Sequence, residues 1–86
     1  MKLVLAIIKD GDSDVVIHAL TDAGFRVTRI ASTGGFLRRG VATLLIGVED
    51  DQLESALEIL RATTTVVPGE KRLTLFVMNV ARFEQV

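Results

Sequence analysis

Apolar residues recur along this chain with three different spacings, and each change of spacing marks an element boundary. Leu3-Val4-Leu5-Ala6-Ile7-Ile8 is continuous and rich in branched residues, as expected of a central strand covered on more than one side. Lys9 to Asp14 then supplies turn chemistry, with Asp12 or Ser13 able to accept a backbone N–H at a helix start. Val15 or Val16, then Ala19, Leu20 and Ala23, recur at three- and four-residue steps and predict a helix that Gly24 terminates. From Phe25 to Ala31 the spacing falls to two: Phe25, Val27 and Arg29 share one face of a strand, and Arg26, Thr28 and Ile30 the other.

Val41 to Val48 predicts a third strand, interrupted by Gly47, where close approach of another backbone or a ligand would need no side chain. Glu49-Asp50-Asp51 suits the positive end of a second helix, whose core stripe is Leu53, Ala56, Leu57 and Leu60, ending near Arg61. The branched run Thr63-Thr64-Thr65 and the Pro68-Gly69 turn close that helix. Arg72 to Val80 predicts a fourth strand, followed by a tail, 81–86. The order strand, helix, strand, strand, helix, strand is the α+β ferredoxin-like βαββαβ arrangement: four mainly antiparallel strands with both helices on one face. The other face of so apolar a sheet would be exposed in a monomer, so assembly sheet to sheet is expected.

Composition sharpens this. With 86 residues the expectation is a single domain, 1–86, near the size at which small folds lean on a staple. There is no cysteine and one histidine, His18, which removes disulfides, cysteine-ligated zinc and a multi-histidine metal site within one chain. Oligomerisation is the staple left. The hydrophobic fraction of 49% agrees with a surface that a partner chain covers. No apolar run approaches the ~20 residues of a membrane-spanning helix, and the opening run ends at Lys9-Asp10 without a cleavage signal, so a cytoplasmic protein without membrane insertion is expected. Ten basic residues against 11 acidic ones give no support for nonspecific DNA or RNA binding, although Arg26, Arg29, Arg38 and Arg39 cluster around the second strand and its loop.

Nothing in the residue pattern identifies a catalytic site. Ser13 and Ser32 have only His18 as a histidine base, and a helical histidine with no second ligand reads as a polar surface residue. Asp50-Asp51 is better explained by the helix start than by acid–base work. The connection Ala31-Ser32-Thr33-Gly34-Gly35-Phe36-Leu37-Arg38-Arg39-Gly40 is longer than a hairpin needs. No Gly-Lys-Ser/Thr follows, so it is not a Walker loop, and its glycines alone imply only a turn. Phe36 adds to that reading, because an aromatic at a loop tip packs on a partner, a neighbouring subunit or a planar ligand, and stacking beside arginine suits a nucleotide.

Phe25-Arg26-Val27-Thr28, Ala31 to Leu37, and Leu45-Ile46-Gly47-Val48-Glu49-Asp50 together resemble the PII-like cyclic di-AMP receptor family. The similarity runs from Met1 to about Leu60 and resumes weakly at Phe83-Glu84-Gln85. It implies a non-enzymatic signalling protein: a ferredoxin-like subunit in a homotrimer, with a nucleotide, best cyclic di-AMP, in clefts between subunits and the signal relayed to an effector protein. Carried over by position, Arg26 and Thr28 supply polar contacts from the strand, Gly35 and Leu37 backbone amides, and Phe36 a wall for adenine. Gly47 allows close approach, and Gln85 reaches the base from the tail. No catalytic residue, metal or cofactor is implied. Two departures stand out. Gly40-Val41-Ala42-Thr43 replaces the family's Gly-Asn-Thr-Thr, removing an amide expected to read adenine, and the connection from Thr63 to Lys71 is short. The alternatives are a ligand-free trimeric protein-interaction module and a sensor of another adenine nucleotide.

Overall fold

A computed structural model describes residues 1–30 and 40–86. Four strands form one sheet: β1 (Lys2–Lys9), β2 (Arg26–Ile30), β3 (Val41–Val48) and β4 (Leu73–Asn79). Helix α1 (Ser13–Asp22) follows β1 and helix α2 (Leu53–Thr63) follows β3, which gives the expected ferredoxin-like βαββαβ order. The sheet order is β2-β3-β1-β4, every neighbouring pair is antiparallel, and the continuous apolar run of β1 is central.

The two helices are entered differently from the sequence expectation. Each begins with a single 3-10 turn, Asp10–Asp12 before α1 and Asp50–Gln52 before α2, and no side chain caps either helix start. Asp12 is instead buried, and both its carboxylate oxygens serve the distant Thr65, whose Oγ1 and backbone N–H donate at 2.6 and 3.0 Å. Those two bonds, the hydroxyl's first, hold the Asp12 carboxyl below its ordinary pKa. The exit from α1 is as expected. Gly24, at φ +91°, donates to the Thr21 carbonyl and Phe25 to the Leu20 carbonyl, the paired bonds that close a helix through a left-handed residue.

The core lies between the sheet and the helices. Val4, Ala6 and Ile8 of β1 face Ala42, Leu44 and Ile46 of β3, and the helices add Val16, Leu20, Ala56, Leu57 and Leu60. Alternation then places Leu3, Leu5, Ile7, Val41, Thr43, Leu45 and Gly47 on the face without helices. His18 is exposed on α1.

Candidate functional site

The strand register arranges the helix-free face in rows across the sheet. Arg26, Gly47, Leu3 and Met78 form one row, and Thr28, Leu45, Leu5 and Phe76 the next. The period-two pattern therefore does bring Arg26 and Thr28 together on this face, with Gly47 directly opposite Arg26. Arg29 belongs to the helix face, where it forms an ion pair with Asp14 of α1 at 2.6 Å. Arg26 makes no ion pair among the described residues, so its guanidinium is available to an anion.

Gly47 has no conformational or packing reason within the chain to be glycine. Its φ lies outside the left-handed range, and a Cβ built there meets nothing within 4 Å. A glycine inside a strand costs about 0.5–1 kcal/mol relative to alanine, and no atom among the described residues requires it here. Open space of this kind beside a strand leaves room for the close approach of another backbone or a ligand.

The remaining sequence-predicted residues lie elsewhere. Gly35, Phe36 and Leu37 fall outside the described residues. The residues flanking that segment, Ile30 and Gly40, sit at the opposite end of the sheet from Arg26 and Gly47, about 14 Å away along β2 at the usual strand rise. Gln85 is exposed in the tail, which leaves β4 at the Arg26–Gly47 end, where Val80 donates to the Met1 carbonyl at 3.2 Å. No hydrogen bond among the described residues joins Gln85 to Arg26 or Thr28.

Two features of this face escaped sequence reasoning. At the Gly40 end, an open cleft of about 610 Å³ is lined by Ile7, Lys9, Gly40, Val41, Lys71 and Thr74 among others. Val41, the departure from the family motif, is part of its apolar wall. Beside it, Thr43 is buried between Ile30 and Ile7 of the flanking strands, and its hydroxyl has no hydrogen-bond partner among the described residues. The signal for Thr43 was present in the sequence, as a hydroxyl inside an apolar strand, but its burial depends on the strand order.

Comparisons with known proteins point the same way. A solved structure of a functionally unknown protein from Pediococcus pentosaceus superposes with a TM-score of 0.79 at 30% sequence identity, covering 99% of this chain and 96% of that one. The family model described as cyclic-di-AMP receptor matches residues 1–68, a span that holds Arg26, Thr28, Gly47 and the 31–39 segment and stops short of β4 and Gln85. A helix-free sheet face with Arg26 opposite a glycine that no described residue requires is thus found within a matched sequence, and the chain belongs to the cyclic-di-AMP receptor family.

Proposed function

We propose that this chain is a single-domain, non-enzymatic PII-like receptor that binds a nucleotide, cyclic di-AMP first among candidates, in clefts between the subunits of a cytoplasmic homotrimer and relays its binding to an effector protein. Gly47 carries the reading. It faces Arg26 across β2 and β3 and leaves room that no atom among the described residues fills. Arg26 and Thr28 offer a cation and a hydroxyl to phosphate, and Gly35, Phe36 and Leu37 offer amides and an aromatic wall to the base. Gln85 adds a polar contact from the tail.

The assembly follows from the same face. Leu3, Leu5 and Ile7 are half-buried there while Phe76 and Met78 are exposed, and a second and third subunit would cover them. The roughly 14 Å between Arg26 and Ile30 favours a pocket in which one subunit offers its strand residues and its neighbour the loop. Val41 favours a second ligand reading, another adenine nucleotide, because valine cannot form the hydrogen bonds of the family's asparagine.

Isothermal titration with cyclic di-AMP, and with ATP and AMP as comparators, tests this on protein whose mass is followed by native mass spectrometry. Saturable binding to a trimer, weakened at least about tenfold by Arg26→Ala and by Gly47→Val with the trimer retained, is expected. Absence of binding by any of the three at high micromolar concentration overturns the nucleotide assignment.

A further inference from the structure

The cleft at the Gly40 end is built from distant parts of the chain. Central β1 supplies its floor through Ile7 and Lys9, the start of β3 one side through Gly40 and Val41, and the connection from α2 to β4 the other through Glu70 and Lys71. The first side is placed by strand pairing, since Val41 is the register partner of Lys9. The second has no such ladder. Residues 64–72 belong to no helix or strand, so individual bonds must fix where they lie.

Those bonds converge on Lys9 and the short turn Asp10–Asp12. Lys9 pairs with Glu70 at 2.7 Å. Asp10 donates its backbone N–H to the Gly40 carbonyl at 2.9 Å, on the opposite side of the cleft. Asp12 accepts the Thr65 hydroxyl and N–H at 2.6 and 3.0 Å. One short stretch, 9–12, thus holds both sides of the cleft. Between Thr65 and Glu70 the connection is closed on itself, the Glu70 N–H donating to the Val67 carbonyl at 3.0 Å across Pro68-Gly69. All of these bonds lie within one chain, so they do not depend on how much of its surface a neighbouring subunit covers.

The two anchors of the connection differ in strength. The Lys9 and Glu70 side chains are 35 and 57% exposed, and an ion pair so open to water holds geometry weakly. Asp12 is buried and receives two bonds on a charged acceptor, one of them short. Asp12 is therefore the anchor that decides where the connection lies.

We infer that Asp12 is a positioning residue for ligand: through Thr65 it fixes the α2–β4 connection, and with it the width of the cleft at the Gly40 end, so that the wall opposite Val41 stands in place before a ligand arrives. A wall fixed in advance leaves little ordering to be done on binding, whereas a wall that samples other placements lowers the apparent affinity by the fraction of time it is displaced. The inference rests on the nucleotide reading for the occupant of the cleft; the clamp itself rests on the bonds within the chain.

Two measurements on the full chain test it. In the ligand-free protein, Asp12→Asn and Thr65→Val are expected to speed hydrogen exchange of the Glu70 amide at least about fivefold relative to the amides of β1, while Thr65→Ser, which keeps both donors, leaves it unchanged. Titration with cyclic di-AMP follows, at a temperature where circular dichroism shows every variant fully folded. Asp12→Asn and Thr65→Val should raise Kd at least about fivefold, and Thr65→Ser should restore the wild-type value. Leu20→Ala is the control for stability alone: Leu20 is fully buried on α1 and does not line the cleft, so its loss should lower Tm and leave Kd as it was. Unchanged Glu70 exchange in both clamp variants, or an equal rise in Kd for Leu20→Ala, overturns the inference. A wild-type chain that binds no nucleotide overturns the nucleotide reading, and the exchange measurement then still decides the clamp.

Discussion

Replacing Asp12 by asparagine should destabilise the fold measurably. Asp12 closes the 3-10 turn before α1 and receives two hydrogen bonds from Thr65, 53 residues away. Charge-assisted bonds contribute about 1.5–3 kcal/mol each against 0.5–1.5 for neutral ones, and asparagine retains a single acceptor oxygen. A net loss of about 2 kcal/mol follows, which in a domain of this size lowers Tm by about 8–16 °C. The chain has no tryptophan or tyrosine, so the melt is best followed by far-UV circular dichroism at fixed protein concentration.

The effect has a defined pH course. The Asp12 carboxyl titrates lower in the folded chain than in the unfolded one, so its stabilisation is complete above the unfolded value, about 4. It is then lost as pH falls through the folded value. The gap between wild type and Asp12→Asn should therefore hold from neutral pH to about 5 and narrow below about 4. Thr65→Val completes a double-mutant cycle, with a coupling of about 1 kcal/mol expected. A melting point for Asp12→Asn within 2 °C of wild type at neutral pH, or a gap that stays constant into acid, would refute the reasoning.

Two further outcomes follow. Leu44, fully buried on the helix face of β3, should cost about 2–5 kcal/mol when truncated to alanine, read as a lower urea midpoint with an unchanged slope. Val41→Asn restores the family's amide in the wall of the cleft at the Gly40 end, and titration should show tighter cyclic di-AMP binding with little change in Tm. An unchanged dissociation constant would mean that this position does not touch the ligand.

The period-two pattern of Phe25 to Ile30 was enough to place Arg26 and Thr28 on one face and Arg29 on the other, because side-chain direction in a strand is a local property. Gly47 was legible for a related reason: a glycine inside an apolar strand is conspicuous without any knowledge of its neighbours. The Asp12–Thr65 link was not legible. Aspartate before a helix ordinarily caps it, and only the tertiary path of the α2–β4 connection brings a better donor pair. The central place of β1 was legible from its continuous apolar run, but which strand borders each edge was not, so neither the burial of Thr43 nor the edge position of β4 followed from the pattern. The separation of Ile30 from Arg26 was legible as well, because it is only four steps of strand rise along β2.

The central position of β1 also has a kinetic meaning. Its flanks are filled by β3 and by β4, and Lys2 meets Asn79 across 77 residues of sequence. Pairings this distant must wait for large loops to close, which slows folding relative to a helical bundle of the same length. During synthesis β1 emerges before the other three strands and its partner β4 after them. A ribosome-bound chain stalled before Leu73 would hold β1 with one flank unpaired, a state inclined to aggregate and open to chaperone capture.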